Sequence, residues 1–501
     1  MAAPLCNPLV LRVDAGPSIG LGHLMRTVAI GQEWRDRGGE VTIITASPVP
    51  QIEKRLNSEA FSMRVIAGPP GSGQDAIDTA ALARSLGAEW IVVDGYRFLG
   101  DYQKVLKDCG YKVLFIDDYG HAGVYPADIV LNQNISARDQ MYFHRDPGTR
   151  LLLGPRYAMI RQEFVRFRNL AHHVPESAMR LLVTLGGADP DHVTLTVIQA
   201  LKALGRHAPH ATFVIGEMNP CGEEIARALA SLPGHTIVRG GESLPDLMSR
   251  SDAAISGGGS TTGELLFMGV PFLSIILAEN QERVVRELEA QGFTRNLGKG
   301  HDLLPEKLAG ILAEFLGSWE TRAQFSEKGR HLVDGFGTAR IGMHLSGERL
   351  WLREAEKEDC MQIWEWANDL AVRQASFHPA RIPLVDHKTW FSRKLSDPGC
   401  FLFIAMDRDD QPVGQIRFDL ANDEAEVDYS IDERFRGKGL GFHLLVGGLN
   451  ALRRRIQIRA VKGYVKPENP PSIRTFEKAG FVPREMEEKN GFRAIKFTLD
   501  L

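Results

Sequence analysis

The chain has 501 residues, 44% hydrophobic and 24% charged, which excludes a disordered, collagenous or disulfide-stapled polypeptide and, at roughly 100–200 residues per domain, predicts three or so domains. Lys plus Arg total 59 against 63 Asp plus Glu, a net charge of -4, so the composition offers no electrostatic case for a nucleic-acid or membrane partner. The five cysteines, Cys6, Cys109, Cys221, Cys360 and Cys400, form no C-x-x-C pair; with no basic n-region and no apolar run of about 18 residues, a cytoplasmic protein with structural thiols is expected.

The first third alternates β-branched runs with amphipathic stretches: VLRVDA, VTIIT from Val41, WIVVDGY from Trp90, KVLFIDD from Lys112 and IVLNQN from Ile129. This is βαβ rhythm. A second series opens with RLLVTLGGADP at Arg180 and continues through ATFVIGE, HTIVRG, AAISGGGS and PFLSIILAENQ. Two tandem α/β domains are predicted, over residues 1–170 and 171–340. VDGFGTARIGMHLSGE, near residues 332 to 348, is rich in Gly and small residues and predicts a linker. Residues 347–501 have a different plan. LWLREAEKEDCMQIWEWAND gives a strand and an amphipathic helix, FLFIAM, VGQIRFD and EAEVDYSID give strands, and a Gly-rich turn enters a helix at Arg434. That order is α+β, and no 20–50-residue internal repeat is visible.

VLRVDA ends in GPSIGLGHLMR, Gly16 to Arg26, where glycines permit close backbone approach and a helix starts near His23. Free amides at a helix start favour anions. The spacing of Gly16, Gly20 and Gly22 is not G-x-G-x-x-G, and no P-loop Lys follows, so a dinucleotide or NTP site is poorly supported. His23 is the general-base candidate, weighed against a histidine that only caps the helix. Gly186-Gly187-Ala188-Asp189 and Gly257-Gly258-Gly259-Ser260-Thr261-Thr262 each follow a strand and precede a helix. Singly they suit packing turns. Together they argue for amides and hydroxyls that cradle a diphosphate without a metal, with Glu264 accepting from ribose. His207-x-x-His210 reads as a surface turn, and no metal is expected.

SGGGSTTGELLFMGVP, with ENQ at Glu279 to Gln281, resembles the donor-binding half of GT-B glycosyltransferases, especially those that use UDP-GlcNAc. Joined to IGLGHLMR, VVDGY, FIDD and LLLGPRYAMIRQEF, over about residues 8 to 340, it resembles more specifically the UDP-2,4-diacetamido-2,4,6-trideoxy-altropyranose hydrolases of pseudaminic acid biosynthesis. The resemblance implies an α/β fold with a GT-B-like pair of Rossmann-type domains, and metal-independent, inverting cleavage of the sugar C1–O bond with release of UDP. It implies a catalytic role for His23 and sugar contacts for Tyr96 and Asn280. Around UDP it suggests Gly20, Gly22, Gly186, Gly187, Gly257, Gly258, Ser260, Thr261, Glu264 and Gln281.

DERFRGKGLGFHLL, with Arg434, Arg436, Gly437, Lys438, Gly439 and Gly441, resembles the acetyl-CoA turn of GNAT N-acetyltransferases. Glycines there would let a pyrophosphate sit on helix-start amides. VKPENPPSIRTFEKAGF is similar to that family's second motif, which implies Asn469 and Ser472 near pantetheine. One departure stands out: the position that often carries a thiolate-protonating tyrosine is Phe476, leaving Ser472, Tyr464 or a water as acid. Strand EAEVDYSID places Glu424, Glu426 and Asp428 on one face, as base candidates or as a solvated face.

The resemblances together imply a bifunctional enzyme. Its C-terminal domain would use acetyl-CoA to acetylate the 4-amine of a UDP-4-amino-4,6-dideoxy-N-acetyl-altrosamine, and its N-terminal half would hydrolyse the product. The partners expected are the UDP-amino sugar and acetyl-CoA, with no nucleic acid and no membrane. The alternatives are a GT-B glycosyltransferase with a GNAT tail and a tail that only binds acetyl-CoA.

Overall fold

A computed structural model describes residues 6–501 except 17–18, 48–49, 187–188, 190, 217–218, 220, 231, 233 and 240–242. The chain divides into two compact units, residues 1–341 and 342–501.

The first unit holds two parallel sheets. One contains β1 (Leu9–Val13), β2 (Val41–Thr45), β3 (Ser62–Val65), β4 (Trp90–Asp94), β5 (Lys112–Ile116), β6 (Ile129–Asn132) and β7 (Arg150–Leu153), in the order β3-β2-β1-β4-β5-β6-β7. Every residue of β1, β2 and β4 is buried. Apolar runs without alternation suit strands covered on both faces. The edge strand β3, SMRV, is largely exposed, and neither it nor β7 stood out in the sequence as a strand.

The other sheet contains β8 (Arg180–Thr184), β9 (His210–Val214), β10 (Thr236–Val238), β11 (Ala253–Gly257), β12 (Phe272–Ile276) and β13 (Arg295–Lys299), in the order β10-β9-β8-β11-β12-β13. Its strands bury alternate residues on opposite faces. Leu181, Val183, Phe213 and Ile255 pack with Val197, Leu308 and Leu312, whereas Leu182, Ala254 and Phe272 pack with Leu265 and Met268. This is the expected GT-B-like pair of Rossmann-type domains. Strand order reverses between β1 and β4 and again between β8 and β11, and crevices for ligands lie beyond the carboxyl ends of strands at such points.

Arg12, which interrupts the apolar run of β1, is fully buried and held by Asp75 at 2.7 and 2.9 Å and by Asp14 at 2.8 Å. The charge is tolerated because it is paired on both sides. The stretch expected to be a linker is mostly helix, Gly337–Ser346. Its small residues serve packing rather than flexibility: a Cβ at Gly337 would meet the Ala158 carbonyl oxygen at 2.2 Å, and Arg340 donates to both oxygens of Asp334.

The second unit has one mixed sheet of β14 (Trp351–Glu354), β15 (Cys400–Met406), β16 (Pro412–Ala421), β17 (Glu424–Ile431), β18 (Ala460–Val465), β19 (Val482–Lys489) and β20 (Phe492–Asp500), in the order β14-β15-β16-β17-β18-β20-β19. Its pairs are antiparallel except β17 with β18. Those two pair only from Glu424 to Glu426 against Ala460 to Lys462. Beyond that point they part, and a wedge opens. Ala425 and Val427 pack with Leu444, Val461 and Phe476 in the core beneath the helices Leu440–Arg453 and Pro470–Lys478.

Candidate active sites

His23 lies in the first turn of the helix Gly22–Asp36, which follows β1. Its Nδ1 stands 2.7 Å from Oδ1 of Asp94, the last residue of β4. Burial by itself disfavours the charge on Asp94, but the Arg26 guanidinium and His23 overcome it and hold the carboxyl below its usual range. Asp94 is therefore an acceptor, and Nδ1 carries the proton. Nε2 has no partner among the described residues, which leaves it as the basic nitrogen.

Arg26, one turn on, holds Asp94 at 2.6 Å through both Nε and Nη2, and Asp118 at 2.7 Å through Nη1. Asp118 also accepts from Tyr96 at 2.7 Å and from Asn134 Nδ2 at 2.9 Å. Burial opposes its charge, yet Arg26 holds its pKa far down. Burial and Asp118 push the Tyr96 phenol well up, so Tyr96 stays protonated. Its ring meets the His23 ring edge-on, with centroids 4.7 Å apart.

The second sheet supplies the facing wall. Asn280, in the helix Glu279–Ala290 after β12, donates to the Tyr96 hydroxyl at 2.6 Å. A Cβ on Gly22 would come 3.5 Å from Ser260 Oγ, so the turn that carries His23 faces the Gly-rich turn after β11. His23, Tyr96, Asn280, Gly22 and Ser260 thus stand close together. Asp94, Asp118 and Arg26 were not singled out beforehand, although each sits inside one of the quoted motifs; an acidic residue closing an apolar parallel strand was the available signal.

The diphosphate candidates divide. The amides of Gly259, Ser260 and Thr261 have no acceptor among the described residues, and they stand at the start of the helix Thr261–Met268. They are positioned for an anion. Gly257 and Gly258 instead serve packing: a Cβ would meet Leu277 at 2.6 Å or Val285 at 2.4 Å. Gln281 Oε1 accepts from the amides of Gly258 and Leu277 at 3.0 and 3.1 Å, so this group braces the turn. One oxygen of Glu264 is held by Arg161 at 2.8 and 3.1 Å. Gly20 and Gly186 have φ of 78° and 80°, values that favour glycine. Gly187 lies outside the described residues.

In the second unit Gly437 and Gly439 have φ of 76° and 74°. Among the described residues the amides of Gly437, Lys438 and Gly439 have no acceptor, and Gly439 caps the helix Leu440–Arg453. Such a concave run of amides fits a pyrophosphate. Lys438 lies over the Phe435 ring at 5.1 Å. Arg434 and Arg436 are engaged within the protein instead, Arg434 with Asp432 at 2.9 Å and Arg436 with Asp369 at 2.7 Å. Gly441 sits where a Cβ would come 3.4 Å from Thr475 Oγ1. Asn469 caps the helix Pro470–Lys478 by accepting from the Ser472 amide at 3.3 Å.

Glu424, Glu426 and Asp428 do share one face of β17, opposite buried Ala425 and Val427. Glu424 is paired with Arg459 and Lys462, and Glu426 with Lys489. Asp428 has no ion pair within 4 Å among the described residues and accepts only from Gln415, at 3.1 Å.

A family model described as an acetyltransferase (GNAT) domain matches residues 349–482. A Bacillus subtilis protein named "Putative phosphinothricin acetyltransferase YwnH" is 31% identical over 26% of this chain and 82% of its own length. Another protein of that organism, "Spore coat polysaccharide biosynthesis protein SpsG", is 25% identical over 66% of this chain and 94% of itself. The Campylobacter jejuni protein named "UDP-2,4-diacetamido-2,4,6-trideoxy-beta-L-altropyranose hydrolase" is 23% identical over 57% of this chain and 97% of its own. The chain is thus a fusion, in which a GT-B-like unit homologous to these last two proteins is followed by a domain that belongs to the GNAT acetyltransferase family.

Proposed function

We propose that the two units catalyse consecutive steps on one UDP-amino sugar: acetyl transfer from acetyl-CoA to its 4-amine in the C-terminal unit, then hydrolytic release of UDP in the N-terminal unit. The observation that carries this reading is the His23–Asp94 pair, which leaves one basic nitrogen without a partner among the described residues, beside Tyr96 and Asn280.

In the N-terminal unit His23 Nε2 takes a proton from water as the oxygen attacks C1, and Asp94 stabilises the imidazolium that forms. The C1–O bond breaks, and its electron pair leaves with UDP. The amides of Gly259, Ser260 and Thr261 offset the charge that develops on the diphosphate, so a carboxylic acid partner is unnecessary. Attack opposite the leaving group inverts the anomeric carbon. Tyr96 and Asn280 hold the sugar in the cleft.

In the C-terminal unit the Gly437–Gly439 amides hold the pyrophosphate of acetyl-CoA, which supplies the acetyl thioester. Asp428 accepts the proton that the amine must lose to attack. The relative named as a diacetamido-sugar hydrolase supports this order, because acetylation makes the second acetamido group such a hydrolase recognises.

Incubating the full chain with the UDP-4-amino sugar and acetyl-CoA tests the proposal, with products followed by NMR. Free CoA, the diacetamido sugar and UDP are expected without any acceptor sugar. UDP release only on addition of an acceptor would make the first unit a glycosyltransferase.

A further inference from the structure

The Phe476 departure leaves the C-terminal unit without the usual proton donor for the departing sulfur. Phe476 is 3% exposed and packs against Phe481 and Phe497 with centroids 4.8 and 5.2 Å apart. It is filler. Of the other groups on that helix, Thr475 Oγ1 donates to the Pro471 carbonyl at 2.9 Å. Tyr464 alternates with the core-facing Gly463 and Val465 on β18, so its phenol lies on the opposite face, where it bonds Glu487.

Tyr429 differs. It follows Asp428 on β17 and points to the helix side, three residues beyond the last residue paired with β18. Its ring lies 6.0 Å from that of Phe476. Its hydroxyl stands 3.2 Å from Ser472 Oγ, one helical turn before Phe476 on the same helix face. On the other side, a Cβ on Gly441 would come 3.8 Å from Tyr429 Cε2. The phenol therefore bridges the first turn of the helix that follows the pyrophosphate turn and the first turn of the helix capped by Asn469, at the mouth of the wedge. A pantetheine arm that runs from that turn into the wedge passes it.

We propose that Tyr429 is the proton donor to the CoA sulfur, taking the role that Phe476 cannot fill, with Ser472 as its relay. This rests on the acetyl-transfer reading above. As the amine nitrogen bonds the thioester carbon, the C–S bond breaks and its electron pair goes to sulfur. Tyr429 gives its proton to that sulfur. Ser472 donates to the phenolate oxygen and passes on a proton from solvent, while the proton lost by the amine leaves through Asp428. Burial raises the Tyr429 pKa against the opposing hydrogen bonds of Ser472 and Thr475, so the phenol stays protonated at neutral pH. Consecutive residues of one strand thus handle the two protons on opposite faces of the sheet.

The test uses the full chain with CoA itself as probe, and reads the ionisation of the bound thiol by ultraviolet absorbance. In the unaltered protein the bound thiol should titrate below free CoA. In Tyr429→Phe it should return toward the free value, with CoA affinity at low pH unchanged. Ser472→Ala should give an intermediate shift. Acetyl transfer by Tyr429→Phe should fall about 100-fold or more, as for a lost general acid, with KM for acetyl-CoA retained. Identical thiol titrations in the unaltered protein and in Tyr429→Phe would overturn the proposal. If the thiol titration moves but the unaltered protein transfers nothing to the UDP-4-amino sugar, Tyr429 stands and the choice of acceptor falls.

Discussion

Asn280 donates to the Tyr96 hydroxyl at 2.6 Å across 184 positions of sequence, and this bond links the sheet that carries His23 to the sheet that carries the amides of Gly259, Ser260 and Thr261. Tyr96 spends its own proton on Asp118, so it can only accept from Asn280. The contact orients the Asn280 amide as well as closing the cleft.

The first prediction concerns the pair behind the base. His23→Ala should lower UDP release about 100-fold or more, the range for a positioned base. Asp94→Asn should approach that loss although His23 remains, because an amide can donate to Nδ1 and move the imidazole proton to Nε2. Single-turnover kinetics on a pre-acetylated substrate measure both. Near-normal rates in Asp94→Asn would leave His23 without its orienting partner's role.

The second prediction is that UDP release survives EDTA. The amides of Gly259, Ser260 and Thr261, which have no acceptor among the described residues, are the groups proposed to face a diphosphate, and amides need no cation to do so. Activity lost on chelation and restored by Mg²⁺ would move the diphosphate elsewhere.

The third prediction separates two kinds of glycine. Gly258→Ala forces a methyl to 2.4 Å from Val285, an overpacking that typically costs about 1–3 kcal/mol. Calorimetry should show a lower Tm, whereas Gly259→Ala, whose Cβ would meet nothing nearer than 3.8 Å, should leave Tm closer to the parent. A Gly258→Ala protein of full stability would return that residue to the ligand.

How far the sequence could be read follows from the same physics. β1, β2, β4 and β5 were visible because buried parallel strands read as largely apolar runs, even with Arg12 inside β1 and the exposed Lys112 at the start of β5, while β3 was hidden because an exposed edge strand has no such pattern. His23 stood out as a base between glycines. Its partner Asp94, and Asp118 held through Arg26, lie 71 and 95 positions away in the chain, and only the pairing of β1 with β4 and of β4 with β5 brings them together. Gly257 and Gly258 looked like ligand glycines because a turn that lets a helix pack closely and a turn that lets a phosphate approach demand the same residue. The small residues near 332 to 348 suggested a linker; most of that stretch is the helix Gly337–Ser346, and the division between the two units falls within it.

The fourth prediction is a pH dependence. Asp432 accepts from Arg434 and Trp366, and these bonds, against burial, bring its pKa to about 2. A carboxyl depressed in the folded state stabilises fully above its unfolded value of about 3.9, and that contribution is lost as pH falls through the folded value. The stability gap between the parent and Asp432→Asn should therefore be constant above about pH 5 and shrink between about pH 4 and 2. Hydrogen exchange of peptides from residues 349–482 reads it without interference from the first unit. A gap that persists at pH 2 would mean that Asp432 acts through shape rather than charge.

The last prediction tests whether the two activities separate. Gly437 has φ of 76° and open space where a Cβ would stand, so a side chain there projects outward from the turn rather than into the core. Glutamate would bring a carboxylate to the amides proposed to hold a pyrophosphate, and acetyl-CoA binding by the full chain should be lost. Left-handed backbone strain alone could also disturb the turn, so Gly437→Asn is the control: asparagine tolerates this conformation and adds no charge. Gly437→Asn should keep measurable acetyl-CoA binding by titration calorimetry, and Gly437→Glu should show none. Both should still release UDP at the parental rate from a substrate acetylated beforehand, because the His23 cleft is built within residues 1–341. If Gly437→Glu binds acetyl-CoA as well as the parent, the pyrophosphate does not sit on this turn; if it loses UDP release on the pre-acetylated substrate, the two units do not work independently.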